Sequence, residues 1–129
     1  MRFVGQKKFT NPDKGIVGDC LRACLCTILD VTDEGVENFV DADNFPDNIN
    51  DFVVKNGKYL VSIVIDNNEI PYNDNKYRIV VGRSPRYEEY GHAVVYKGNQ
   101  MFFDPHPSNY GLANIENCLW VEDFIKKGE

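Results

Sequence analysis

Three side chains suited to nucleophilic catalysis occur in the order Cys20, His92, Asp104. A thiolate attacks a carbonyl carbon, an imidazole takes and returns the proton, and a carboxylate fixes the ring's tautomer and orientation. Cys20 opens the run Asp19-Cys20-Leu21-Arg22-Ala23-Cys24-Leu25-Cys26-Thr27-Ile28-Leu29, where Leu21, Cys24, Leu25, Ile28 and Leu29 recur at the spacing of one helix face. Free N–H groups and aligned peptide dipoles at a helix start favour negative charge, so the Cys20 thiol is expected to ionise more easily than a free one. Cys24 lies one turn deeper on the same face, and Cys26 points about 200° away from it. With Cys118 they read as small apolar core residues.

The histidine opens a strand, Gly91-His92-Ala93-Val94-Val95-Tyr96, and the chain returns through Met101-Phe102-Phe103-Asp104 before Pro105 stops it. Side chains alternate along a strand, so the turn decides whether these groups meet. A three-residue loop, Lys97-Gly98-Asn99, puts His92 opposite Asp104 on one face, whereas a two-residue Gly98-Asn99 loop puts them on opposite faces. The dipeptide favours the shorter loop, and local turn chemistry leaves both open.

Gly18-Asp19-Cys20-Leu21-Arg22-Ala23-Cys24-Leu25, the later His92-Ala93-Val94-Val95 and the closing Asp104-Pro105 resemble the papain-like cysteine peptidase superfamily. The most similar branch is the bacteriocin leader peptidases, which cut after a double glycine. Ser84-Pro85-Arg86 and Asp104-Pro105-His106-Pro107-Ser108 are also similar to small stand-alone proteins of phages and bacteria. The resemblance implies Cys20 as nucleophile, His92 as general base and then acid, and Asp104 as the residue that orients it. It implies a minimal papain-like fold with no cofactor. The superfamily usually carries a Gln about six residues before the nucleophile to help bind the oxyanion; that position here is Lys14, and Leu21 replaces the Gly that often follows. Gln6 or Asn11, reaching in by another path, are the expected substitutes, with the helix-start N–H of Cys20 as a further donor.

The loop Gly82-Arg83-Ser84-Pro85-Arg86-Tyr87-Glu88-Glu89-Tyr90 leads into the histidine strand, as loops lining substrate clefts commonly do. Arg83 or Arg86 is suited to a substrate carboxylate, and Tyr87 or Tyr90 to packing on a peptide; His106, between two prolines, is a candidate for the rim. A metal is not expected, because Cys-x-x-x-Cys-x-Cys within one helix splays its thiols and no Cys-x-x-Cys knuckle exists.

The elements that position these groups follow from the rest of the pattern. The first 19 residues read as an extended lead-in with a turn at Asn11-Pro12-Asp13-Lys14-Gly15. After the core helix, a second is expected from Thr32 or Asp33, burying Val36, Phe39 and Val40. A third is expected after Pro46-Asp47, with Ile49, Phe52 and Val53 inward and Asn56-Gly57 closing it. Strands follow at Tyr59 to Ile65, Tyr77 to Val81, His92 to Lys97, Gln100 to Asp104 and Cys118 to Val121, and Asp123 to Lys127 reads as helical. Helices first and strands after indicate an α+β domain with a mainly antiparallel sheet, spanning 1–129 as one unit.

Composition limits the partners. The chain has 129 residues, 43% of them hydrophobic, enough for one core. Its longest apolar stretch, Tyr59 to Ile65, is far short of the ~20 residues a membrane helix needs. Net charge is −6, and eight carboxylates without a Lys or Arg fill the stretch between Arg22 and Lys55. Nucleic acid is therefore not an expected partner; a peptide or protein substrate is. Met1 to Lys8 carries charge without an apolar segment behind it, unlike a signal peptide, which points to the cytoplasm (the host's, if the chain is phage-encoded) and to reduced thiols. The expected activity is cleavage of an amide or isopeptide bond through a thioester. The alternatives are a glutamine deamidase or acyltransferase using the same three residues, and a papain-like module that binds without cutting.

Overall fold

The computed structural model describes residues 2–124. They form a mixed α/β fold in which helices α1 (Cys20–Leu29) and α2 (Asp47–Lys55) precede strands β1 (Lys58–Val64), β2 (Tyr77–Arg83), β3 (Gly91–Lys97), β4 (Gln100–Phe103) and β5 (Asn117–Asp123). The sheet is antiparallel throughout, in the order β1-β5-β2-β3-β4. The last strand thus crosses back to insert between β1 and β2. No described helix is long and apolar enough to cross a membrane.

One face of the sheet is covered by the helices. α1 lies on β3 and β2, and α2 on β1, and Cys24, Leu25, Phe39, Ile49, Val53, Ile79, Ala93 and Val95 close into one core. Val80, Val94 and Cys118 point the other way and are covered by Ile65, Ile70 and partly buried Tyr72 and Trp120. Both faces of the central strands are therefore buried, which is why Ile79-Val80 and Ala93-Val94-Val95 read as continuous apolar runs rather than alternations.

The second expected helix is not formed. Asp30 leaves α1 in the left-handed region (φ 56°), Gly35 takes φ 74°, and only a 3₁₀ turn at Phe39–Asp41 follows. Two left-handed residues within six positions break the periodic stretch, yet Phe39 is still buried against the core. The third expected helix is α2, with Ile49 and Val53 buried, Asn56 as its cap and Gly57 at φ 79° beyond it. Asp123, expected to begin a helix, instead ends β5, and 125–127 lie outside the described residues.

The turn joining β3 to β4 is the short one. Lys97 pairs with Gln100, so Gly98-Asn99 is the whole loop, with Gly98 at φ 61° as the first position of a type II′ turn requires. The backbone oxygen of Asp74 would stand 2.4 Å from any Cβ at Gly98, a second reason for glycine there. That turn alone would send His92 and Asp104 to opposite faces. The ladder then shifts: Tyr96 pairs with Met101 but Val95 with Phe103, leaving Phe102 as an extra, bulged residue. Continued by one step, the shifted register sets Asp104 beside Val94, on the same side of the hairpin as His92. The bulge reverses the parity that the turn imposes.

Candidate active site

His92 and Asp104 are both buried, and His92 Nε2 lies 2.8 Å from Asp104 Oδ1. The carboxylate is held from two further directions. The His106 N–H also donates to Oδ1 (2.9 Å), and the Gly111 N–H donates to Oδ2 (2.9 Å). Burial by itself would raise the Asp104 pKa, but the bond from His92 and the two N–H groups outweigh it and hold the carboxyl below its ordinary value. A carboxylate so fixed keeps the ring proton on Nε2 and leaves Nδ1 as the basic nitrogen.

Cys20 is the first residue of α1, whose N-terminal N–H groups have no side-chain cap. The helix brings the thiol to the start of β3, against the backbone of Ala93 next to His92. Cys20 and His92 line two cavities together. One, of about 20 Å³, is polar and also includes Gln6, Ser84, Arg86, Tyr87 and His106. The other, of about 230 Å³, is walled mainly by apolar groups such as Val17, Leu21, Val40, Phe45 and Tyr90.

The thiol departs from the sequence expectation in one respect. Burial pushes its pKa up to about 11, and neighbouring Asp19 adds to the rise, against smaller lowering contributions from the N–H groups of Ala93, Leu21 and Cys20 itself. Desolvation outweighs the helix start. No hydrogen bond joins the Cys20 sulfur to the His92 ring among the described residues, and a thiol pushed up to about 11 holds its proton near pH 7. Cys24, Cys26 and Cys118 are wholly buried, and burial raises their pKa values too.

Gln6 reaches the site from 14 positions upstream because Asp19 clips the lead-in to the helix start. The buried Asp19 carboxylate does not cap α1. It accepts instead from the N–H groups of Lys7 (3.1 Å) and Lys8 (3.0 Å) and from the Arg22 guanidinium. On the other flank, the Gln6 N–H donates to the Pro105 oxygen (3.0 Å) and the Val4 N–H to Thr27 Oγ1 (2.9 Å). The lead-in is thus laced between α1 and the segment after Asp104. Gln6 Nε2 donates to the Lys8 oxygen (3.0 Å), while its Oε1 is buried with no hydrogen-bond partner among the described residues.

Other candidates fall elsewhere. Asn11 precedes the 3₁₀ turn Pro12–Lys14, bridges to Ile16, and lines with Lys14 an open depression of about 630 Å³ that includes neither Cys20 nor His92. The reason is local: the turn folds Asn11 back on Ile16 before the helix begins. Arg83 is exposed, pairs with Glu116 (3.3 Å), and lines neither Cys20 cavity. Arg86, Tyr87 and His106 do line the polar one.

Sequence reasoning passed over Asp19 as a clip, Ser84 and Ser108. Ser84 is buried and accepts from the N–H groups of Arg86 (3.1 Å) and Tyr87 (3.2 Å), shaping the loop that leads to His92. An Asp before a helix reads first as its N-cap, and nothing local marks it as a long-range acceptor. Among the described residues no group of three His, Cys, Asp or Glu side chains converges as a metal ion would require. Comparison of the chain with protein-family models, with curated proteins and with solved structures found no match in any of the three.

Proposed function

We propose that this protein is a cysteine hydrolase of minimal papain-like architecture, cleaving an amide or isopeptide bond in a peptide or protein. The observation that carries the reading is the meeting of three distant segments: the helix-borne Cys20 against the backbone beside His92, and His92 bonded through Nε2 to a buried, anchored Asp104. Nδ1 of His92 takes the thiol proton as substrate enters and water leaves. The sulfur then bonds to the carbonyl carbon while the carbonyl electron pair moves to oxygen. Collapse expels the amine, which takes its proton from His92, and water attacks the thioester with His92 as base. The N–H of Cys20 and the Gln6 carboxamide are the donors for the oxyanion. The unpartnered Oε1 of Gln6 is free to accept a substrate N–H. The apolar cavity beside the thiol suits an aliphatic or aromatic substrate side chain.

The test is labelling by a glycyl acyloxymethyl ketone, whose reaction with a thiol depends on the same attack. Cys20 should be modified in preference to Cys24, Cys26 and Cys118, and His92→Ala should slow the reaction by about 10²- to 10⁴-fold. Equal rates in the wild type and His92→Ala would overturn the reading.

One observation favours a second reading, a scaffold that binds a peptide without cutting it: the neutral resting thiol with its pKa near 11. Cys20→Ser separates the two. A hydrolase loses its effect on the peptide it acts upon, and a binding module keeps it.

A further inference from the structure

We infer that His106 is an additional oxyanion donor of this site, presenting a neutral Nε2–H to the small polar cavity that it shares with Cys20 and Gln6. The inference rests on the hydrolase reading and adds a residue to its machinery.

The argument begins with the ring's tautomer. His106 Nδ1 accepts from the backbone N–H of Ser108 (3.0 Å), so that nitrogen carries no proton. Ser108 Oγ lies 2.9 Å from the same nitrogen and accepts from Arg86 Nη1 (2.7 Å), which turns the hydroxyl proton toward Nδ1. With Nδ1 an acceptor twice over, the single ring proton sits on Nε2. The ring's charge state is set by its surroundings as well. Burial first, then the charges of Arg86 and His92, hold the His106 pKa below its ordinary value, so it is a neutral donor near pH 7.

Position is fixed with equal care. The Phe9 ring packs edge-on against His106 (centroids 5.2 Å, 80°), His92 lies 6.2 Å away at 83°, and the His106 backbone N–H is tied to Asp104. The cavity that His106 and His92 line with Cys20, Gln6 and Ser84 is about 20 Å³, room for a single oxygen atom or water rather than a side chain. A neutral imidazole suits this place: it donates to the developing alkoxide and has no extra proton to compete with His92 for the leaving amine. As the C–S bond forms and the carbonyl pair moves to oxygen, His106 Nε2–H hydrogen-bonds that oxygen, and it keeps its proton when the carbonyl re-forms.

The test compares two reagents on the whole protein. N-acetylglycinal adds reversibly to a thiol as a hemithioacetal whose oxygen occupies the oxyanion position; iodoacetamide alkylates by displacement and forms no oxyanion. His106→Ala should weaken N-acetylglycinal binding about 10²- to 10³-fold, and His106→Gln, which keeps a donor near the Nε2 place, should recover much of the loss. The iodoacetamide rate at Cys20 should be unchanged in both. Equal aldehyde affinity in His106→Ala, or a parallel loss with iodoacetamide, would overturn the inference while leaving the hydrolase reading intact. A wild-type protein that forms no hemithioacetal at Cys20 would overturn both. In the unmodified protein, ¹⁵N–¹H spectra of the imidazole at pH 7 should show the Nε2–H tautomer for His106, and an Nδ1–H tautomer would refute it without any variant.

Discussion

The two halves of the site are prepared to different degrees. On the sheet, the Asp104 carboxylate is bonded by His92, His106 and Gly111, and the ring is fixed before any substrate arrives. On the helix, the thiol has only backbone N–H groups near it, those of Ala93, Leu21 and Cys20 itself, and burial holds it near pKa 11. On the proposed hydrolase reading, the difference teaches where the work of activation would fall. His92 and Asp104 are set on folding. The thiol would be left for the substrate to engage, with an entering carbonyl drawing its proton to His92 and the helix-start N–H groups gaining an anion to bind.

The largest break in this comparison comes from one added residue that changes no functional side chain. Inserting a glycine between Phe103 and Asp104 keeps the bulge at Phe102 and moves Asp104 one step along the ladder, to a place opposite Ala93 on the face away from His92. The acyloxymethyl ketone should then label Cys20 about 10³-fold more slowly, as expected for loss of the tautomer-fixing carboxylate. The protein should remain folded, because the insertion lies past the end of β4 and leaves its pairing with β3 intact. Circular dichroism checks the fold, and an unchanged labelling rate would show that the strand register does not set the geometry.

Next in size is Asp104→Ala, which keeps the register and removes the carboxylate. Labelling should fall about 10²-fold or more. Stability should fall by roughly 2–4 kcal/mol, because the buried donors of His92 and Gly111 lose their acceptor. The wild type should also show the acid side of this linkage. A carboxyl held below its ordinary pKa of 3.8 contributes stability that is present above that value and is lost as pH falls through the depressed one. Asp104→Ala should therefore flatten the acid limb of a denaturation profile, and a profile of unchanged slope would remove Asp104 as a contributor.

Asp19→Ala acts on the helix half and more on stability than on chemistry. It leaves the largely buried Arg22 with the Val36 oxygen but no carboxylate and frees the N–H groups of Lys7 and Lys8, at a cost of about 3 kcal/mol. Gln6 then loses one of its two anchors, and labelling should slow by roughly tenfold. Wild-type labelling with reduced stability would show that Gln6 is not part of the machinery.

Much of the helix half was legible in the sequence. The 3.6-residue spacing around Cys24 and Leu25 marks α1 without help from tertiary contacts, and Pro46-Asp47 with Asn56-Gly57 brackets α2. The Thr32 segment was misread because its apolar spacing is short and Gly35 carries a left-handed turn that periodicity does not register. Cys20, His92 and Asp104 were readable as residue types, but their convergence was not. It depends on a one-residue bulge at Phe102, which leaves no mark in composition or alternation. Gln6 was named only as one of two substitutes. What separates it from Asn11 is a buried Asp19 reaching 11 and 12 positions back along the chain, a contact that no local rule foresees. The thiol's pKa was expected in the wrong direction because a helix start was weighed without the burial that surrounds it.

The smallest effect distinguishes the two halves most finely. Burial raises Cys20 and Cys26 alike, from an ordinary 9.0 to about 11. A group whose folded pKa is raised contributes stability that is fully present below its unfolded value and is lost as pH rises through the folded one, so both thiols should destabilise the fold between about pH 9 and 11. For the wholly buried Cys26 the loss is between about 2 and 3 kcal/mol, and Cys26→Ala should flatten the alkaline limb of a urea-denaturation series by that amount. Cys20→Ala should flatten it in the same direction, by less, because this thiol is only partly buried. A resting thiolate–imidazolium pair would behave otherwise, since its Cys20 would have a pKa below that of a free thiol and its removal would leave the alkaline limb steep. Matching signs for Cys20 and Cys26 would mean that the nucleophile waits neutral for its substrate, and opposite signs that it is charged in advance, like the Asp104 beside His92.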